Sequence, residues 1–258
     1  MSDLPSVWTP SKFEGTDLLP VLRPPAEDGE PLVGRDNVSQ RDLILPSLRL
    51  LQGMSPEVTQ GTVEGARPGL VLHTATQQLL KPPFRVLFVH HSKSNMLIPD
   101  VTRDPRHAGL ERCISRDAVT GDRYGDCETC RKCLDWGPKN ERPLGSASQN
   151  FVAYTEHGPA MIRFARTSYK AGRTFVSNWM MGSKNLWAHP VVVRVKQNQK
   201  TLPNGQQTTF YTWEPVWQVS DVVPPALRAK ALEVYQVADA AFQAGRMSSD
   251  DGEQDDQQ

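Results

Sequence analysis

Acidic residues are missing between Glu156 and Glu214, although the chain of 258 residues contains 29 of them. The same segment holds eight lysines and arginines, so it is cationic along its whole length. A nucleic-acid backbone is repelled by every carboxylate and attracted by every lysine or arginine. The missing acids therefore favour a surface that binds nucleic acid, although a hydrophobic β core whose few charges happen to be basic would have the same composition.

The chain also lacks long apolar runs and the common catalytic motifs. No run reaches membrane-spanning length, and the start, MSDLPSVWTP, has neither the basic end nor the apolar stretch of a secretory signal. We therefore expect a soluble cytoplasmic protein with no membrane partner. The patterns GxxxxGK[ST], GxGxxG and HExxH do not occur, so we predict no catalytic residue and no enzymatic activity.

Cysteine is absent outside one hydrophilic segment, which holds Cys113, Cys127, Cys130 and Cys133. Four thiolates can close a tetrahedral shell around Zn²⁺, and metal binding would supply folding free energy that the few apolar residues there cannot. An iron–sulfur cluster is the alternative because three cysteines follow at C-x2-C intervals. Zinc held by three of the cysteines and His107, and free or redox-active thiols, remain open. A catalytic zinc is disfavoured, since four sulfurs leave no open position.

Changes in composition and periodicity divide the chain into six parts. They are an extended or partly disordered arm at 1–38, the first part of a β domain at 39–99, a cysteine-bearing insertion at 100–147, the remainder of the β domain at 148–222, an Ala-rich helix at 223–246 and an acidic disordered tail at 247–258.

The β domain is predicted from the order strand, strand, insertion, strand, strand, helix, strand, strand. The helix is indicated over 167–182, and Asn204-Gly205 between alternating runs predicts a hairpin. This order predicts a β-rich α+β fold, specifically an OB-type Greek-key barrel with an inserted four-cysteine metal-binding subdomain and a C-terminal helix. A flat β-sandwich is the alternative.

Basic and aromatic side chains alternate in the segment without acids, as expected where bases stack on rings and phosphates meet cations. Arg194 and Lys196 share one face of a predicted strand whose other face carries valines. Phe175 and Trp179 are assigned mainly to the core. The candidate nucleic-acid-binding residues are Arg163, Arg166, Lys170, Arg173, Lys184, Trp187, Arg194, Lys196, Tyr211 and Trp213.

The C-terminus carries the opposite charge. Five of the 29 acidic residues follow Arg246, and none of the 29 basic residues does, so the neutral total conceals a basic body with an acidic tail. Such a tail can occupy a basic groove or bind a basic site on a partner protein, and it can also serve only for solubility.

Together, the barrel pattern, the insertion with Cys113, Cys127, Cys130 and Cys133, and the DDGEQDD end resemble the single-stranded-DNA-binding replication proteins of bacteriophages and related mobile elements. The resemblance implies an OB core, an inserted zinc-binding subdomain and an acidic C-terminus that recruits replication or recombination proteins. It also implies coating of single-stranded DNA without sequence specificity, with no reaction catalysed.

Two functions from other classes stay open at this point. One is an iron–sulfur or metal-containing accessory subunit of a nucleic-acid-processing enzyme. The other is a virion or scaffold protein in which the metal only holds a loop in place, and such a protein would not bind oligonucleotides.

Overall fold

The computed structural model describes residues 45–102, 104–136, 141–155, 157–182, 185–201, 205–218 and 223–244. The predicted N-terminal arm at 1–38 and acidic tail at 247–258 lie outside these residues. The strands are β1 (Leu48–Leu50), β2 (Val71–His73), β3 (Gln78–Leu80), β4 (Phe84–Leu97), β5 (Cys113–Ser115), β6 (Thr120–Gly121), β7 (Gly125–Asp126), β8 (Ser146–Thr155), β9 (Gly158–Ala165), β10 (Val191–Thr201) and β11 (Gln207–Trp217). The helices are α1 (Pro56–Thr59), α2 (Cys127–Cys130), α3 (Tyr169–Met181) and α4 (Pro225–Gln243).

The main sheet is antiparallel, with the strand order β11-β10-β4-β8-β9, and β5 pairs with the end of β4. Strand β4 is long enough to pair with β10 through Phe84–Val86 and with β8 over the rest of its length. The register shifts between Phe88 and His90, which marks a bulge in β4. The predicted β-rich architecture with few helices is therefore confirmed.

Both faces of the sheet are covered, which explains why β8 is buried from Ser148 to Thr155. On one face, here called the inner face, Phe88 stacks on Phe151 with ring centroids 4.5 Å apart. Phe175 of α3 closes this cluster, with its ring centroid 5.2 Å from that of Phe88. On the outer face, α4 packs its stripe of small and apolar residues on β4 and β8, as the Ala-rich pattern predicted.

The sequence predicted a barrel, but the strands do not close into one, because β9 and β11 are not paired with each other in the described residues. The segment from 46 to 52 lies between them instead. The Met161 N–H donates to the Pro46 carbonyl at 2.7 Å on the β9 side. On the β11 side, the Gln52 amide donates to the Tyr211 carbonyl and accepts from the Tyr211 N–H, both at 2.9 Å. The 46–52 segment therefore bonds to backbone groups of Met161 and Tyr211 that β9 and β11 would need in order to pair with each other.

The cysteine-bearing insertion lies between β4 and β8, from 98 to 145. Its described residues form only the short elements β5, β6, β7 and α2 together with a 3₁₀ turn. Val101, Val119, Leu134 and Trp136 are exposed, so the described part of the insertion buries few apolar side chains of its own. Its position in the fold depends on β5 and on backbone contacts rather than on a core.

Helix α3 lies directly against the inner face because Gly172 has no side chain. A Cβ at Gly172 would lie 2.6 Å from the Phe164 Cβ and 3.1 Å from the Gln149 Cβ. Such distances are shorter than van der Waals contact, so any larger residue would push the helix away from β8 and β9.

We expect Gly172→Ala to lower the free energy of unfolding by about 1–3 kcal/mol, the usual cost of overpacking. The sign is informative, since alanine in place of an exposed helical glycine stabilises by roughly 0.5–1 kcal/mol. Urea denaturation of the variant measures this, with Ser177→Ala on the exposed side of α3 as control, expected within about 0.5 kcal/mol of the parent. A Gly172→Ala protein as stable as the parent would contradict the close approach.

Candidate nucleic-acid groove and thiol cluster

A groove of about 1020 Å³ lies between α3 and the hairpin of β10 and β11. Phe175, Trp213 and Trp217 are among its lining residues, and the ring centroids of Phe175 and Trp217 are 5.9 Å apart. The backbone N–H of Trp213 also donates to Ser168 Oγ at 3.2 Å, and this bond connects the start of α3 to β11. The two walls of the groove are therefore held in place by buried contacts.

The β10–β11 hairpin forms one wall of the groove, and the alternation predicted from the sequence determines which of its side chains face the groove. Val191 and Val193 are fully buried, so the other face of β10 presents Arg194, Lys196 and Asn198. Lys196 is exposed and lines the groove, opposite Thr212 of β11. The β10–β11 pairing runs from Val191↔Trp217 to Thr201↔Gln207, which confirms the predicted hairpin.

The helix wall carries Lys170, Thr174 and Asn178, spaced one helical turn apart, so that they share one side of α3. Lys170 and Thr174 are exposed, while Gly172 and Phe175 are buried against the sheet. One cation from each wall, Lys170 and Lys196, therefore lines the same groove.

The other predicted cations in the described ranges do not line the groove. Arg163 lies on β9 opposite Asn150, and it does not share the buried face of Ile162 and Phe164. Arg166 is exposed in the turn before α3 with φ 51°. The exposed Arg173 and the half-buried Arg194 are likewise not lining residues. Lys184 lies outside the described residues.

The three candidate stacking rings differ in how far they are buried. Trp213 is only 4% exposed, since its face of β11 is the core face. Tyr211, on the same face, packs so closely on Gly69 that a Cβ there would lie 2.8 Å from the ring. Trp187 is half-buried and contacts Tyr235 of α4, with ring centroids 5.2 Å apart. These contacts bury Trp213 and half-bury Tyr211 and Trp187, a distribution that the sequence pattern left open.

Two aromatic side chains were missed. Phe210 is half-buried and lines the groove, on the face of β11 that also carries Thr212. Trp136 in the insertion is 64% exposed, whereas every other Phe, Tyr and Trp in the described part of the chain is buried or half-buried. Its signal in the sequence was a tryptophan in a hydrophilic segment that contains few apolar residues.

The four cysteines converge at the end of β4. Cys113 lies on β5, paired with Leu97 of β4, and the Cys127 N–H donates to the Val119 carbonyl at 2.8 Å. Cys127 and Cys130 begin and end the single turn of α2, whose first residues are capped by Asp126. The Gly145 N–H donates to the Lys132 carbonyl at 3.0 Å and anchors the loop of Cys133 beside β8. All four cysteines line one cavity of about 20 Å³.

Two glycines make room for the thiols. A Cβ at Gly121 would lie 2.6 Å from Cys113 Sγ and 3.9 Å from Cys127 Sγ. A Cβ at Gly145 would overlap Cys133 Sγ and lie 2.7 Å from the Met96 carbonyl oxygen. Burial, and after it the neighbouring Cys127, Cys130 and Cys113 in that order, raise the pKa of Cys133 to about 12. The four sulfurs are therefore near enough to interact electrostatically.

A mononuclear metal fits this cavity in volume and in donor type. A cavity of about 20 Å³ holds one water-sized guest, since one water needs roughly 10–15 Å³ by the same measure. All four thiols are free of disulfides. Among the described residues, no three Cys, His, Asp or Glu side chains are already gathered closely enough to hold an ion. An ion would therefore have to draw the sulfurs inward by rotation of their side chains.

His107 does not belong to this cluster. Its Nδ1 accepts from the Asp100 N–H at 2.8 Å, and its Nε2 lies 3.0 Å from the Leu144 carbonyl oxygen. Both ring nitrogens therefore bond to the backbone at the two ends of the insertion, and the alternative of zinc held by three cysteines and His107 is disfavoured.

No helix in the described ranges has the length and apolar character needed to cross a membrane. A comparison with curated proteins finds no significant match, and neither does a comparison with solved structures. A family model described as Pam3 phage gp34-like protein matches residues 20–243, which is most of the chain. The protein is therefore phage-related and belongs to the Pam3 phage gp34-like family.

Proposed function

We propose that this protein binds single-stranded DNA during phage DNA replication or recombination, without catalysing a reaction. The observation that carries the proposal is the groove between α3 and the hairpin, which is lined by Lys170 on one wall and Lys196 on the other. Hydroxyl, amide and aromatic groups line the space around these cations. Cations for phosphates and rings for bases are the combination that binds single strands.

The groove offers hydrogen-bonding groups as well as charge. Asn198 Nδ2 donates to Thr212 Oγ1 at 2.9 Å, so the two polar side chains form a fixed pair across the hairpin. Thr174 and Asn178 line the opposite wall. Such groups bond to sugar and phosphate oxygens in any sequence, which suits coating of a strand.

The strand order supports an OB-type interpretation of the fold. The order β9-β8-β4-β10-β11, with a helix between β9 and β10, is that of a five-stranded Greek-key barrel that is open between its third and fifth strands. In this scheme the cysteine-bearing insertion is the loop between the first two barrel strands. OB folds use that loop and the loop of the last hairpin to bind oligonucleotides.

We also propose that Cys113, Cys127, Cys130 and Cys133 bind one Zn²⁺ that folds the insertion. A closed shell of four thiolates is typical of structural zinc and gives the ion no catalytic role. An iron–sulfur cluster in an accessory subunit of a nucleic-acid-processing enzyme remains the second candidate, but a cavity for one small guest favours a single ion. The acidic tail at 247–258 is proposed to recruit replication or recombination proteins.

We expect Lys170→Ala combined with Lys196→Ala to weaken binding of a mixed-sequence single strand and to flatten its salt dependence. Each lost phosphate contact lowers the slope of log K against log salt by about 0.7, so the double variant should lose roughly 1.4. Fluorescence anisotropy of a labelled oligonucleotide over a salt series measures both effects.

The matched control for this pair is Lys230→Ala, an exposed lysine on α4 that bonds to Glu233. Its affinity and slope should equal those of the parent. If the parent does not bind the oligonucleotide, the proposed function is wrong. If it binds and the double variant keeps the full slope, the groove is not the binding site.

The purified protein should contain one zinc ion per chain and should be colourless. Gly145→Ala should weaken zinc binding by about 10-fold or more, a typical effect of changing the support of a ligand, because its Cβ would displace Cys133 Sγ. Competition with a chromophoric chelator measures the affinity. Gly53→Ala is the control, since a Cβ at Gly53 meets nothing within 4 Å. Visible absorbance with bound iron would instead support the cluster, and the absence of any metal would exclude both.

A further inference from the structure

We propose that Glu214 makes the groove prefer bases with an exocyclic amino group over thymine and uracil. This inference rests on the proposed function and adds a base preference to it. Glu214 ends the acid-free segment and lines the groove, where it is the one carboxylate among the described lining residues. A carboxylate in a groove for a polyanion needs an explanation, because it repels every phosphate that approaches it.

The carboxylate of Glu214 is exposed and available. Arg194 lies directly opposite Glu214 in the register of β10 and β11. Even so, no ion pair or side-chain hydrogen bond involves Glu214 within the ranges that the structure describes. Its oxygens therefore keep their capacity to accept hydrogen bonds from a ligand.

The position of Glu214 suits a base rather than a phosphate. Lys196 pairs with Thr212, so Lys196 and Glu214 are diagonal neighbours on the same face of the hairpin, about 7–8 Å apart at their Cα atoms. One nucleotide can bridge such a spacing with its phosphate at Lys196 and its base at Glu214. Val216, the next residue on that face, lines the groove and offers an apolar surface beside the base.

The chemistry of a carboxylate then selects the base. An ionised carboxylate only accepts hydrogen bonds. Cytosine N4 and adenine N6 are amino donors, whereas thymine and uracil present a carbonyl oxygen, O4, at the corresponding position. In a single strand these edges are unpaired and reachable. A cytosine beside Glu214 would donate to the carboxylate through N4. Thymine or uracil would bring O4 against it and could offer only N3–H, which lies between two carbonyl oxygens that repel a carboxylate.

Cytosine and uracil give the sharpest comparison because they differ at position 4, amino against carbonyl, in rings of equal size. We expect oligo(dC) to bind the parent protein about five-fold more tightly than oligo(dU) or oligo(dT), near the lower end of the discrimination known for single side-chain contacts to bases. Glu214→Gln keeps the shape of the side chain, and its amide can donate to O4 as well as accept from N4. The variant should therefore lose the preference, mainly through tighter binding of oligo(dU) and oligo(dT).

The test is anisotropy titration of the full-length protein with these three oligonucleotides, repeated with Glu214→Gln and with the control Glu233→Gln on α4. A preference that is present in the parent and in Glu233→Gln but absent in Glu214→Gln is the expected result. Equal affinities in the parent overturn the inference and leave the proposed function standing. If Glu214→Gln instead tightens all three to the same degree, the carboxylate acts by repulsion alone and the inference is wrong. A parent that binds none of them contradicts the proposed function itself.

Discussion

The close contact between α3 and the inner face of the sheet determines where the groove lies. Gly172 lets the helix approach Phe164 and Gln149 directly, and Phe175 then enters the ring cluster of β4 and β8. The start of α3 is also bonded to β11 through Ser168, so Lys170 and Thr174 of the helix line the groove opposite the hairpin. Lys170 and Lys196 line one space only because these buried contacts hold their elements together.

The charges of the acid-free segment serve more than one part of the molecule. Of the predicted cations that the structure describes, Lys170 and Lys196 line the groove, whereas Arg163, Arg166 and Arg173 lie elsewhere in the fold. Such scattered cations raise the local concentration of a polyanion but do not position it. The groove residues can position a strand, since fixed polar partners such as Asn198 and Thr212 accompany its cations.

Periodicity predicted the long strands, the hairpin and both long helices, because alternation and the helical repeat are local properties of a sequence. It did not predict the short strands β3, β5, β6 and β7. It could not assign the faces of β11, where Phe210 alternates with Tyr211 and Thr212 with Trp213, so either face could have been buried. Nor could periodicity predict that β9 and β11 are not paired with each other in the described residues. The Gln52 side chain bonds to the backbone of Tyr211, which is 159 residues away in the sequence. A single side-chain contact of this kind produces no periodic pattern from which it could be predicted. The convergence of the thiols was predicted from spacing, but the support from Gly121 and Gly145 was not.

Hydrogen–deuterium exchange of the full-length protein, with and without a saturating single-stranded oligonucleotide of mixed sequence, tests the central claim most directly. The groove predicts slower exchange on binding in α3 and in β10 and β11, with α4 on the outer face unchanged. Binding that leaves α3 and the hairpin unprotected, or that protects α4 instead, would contradict the account.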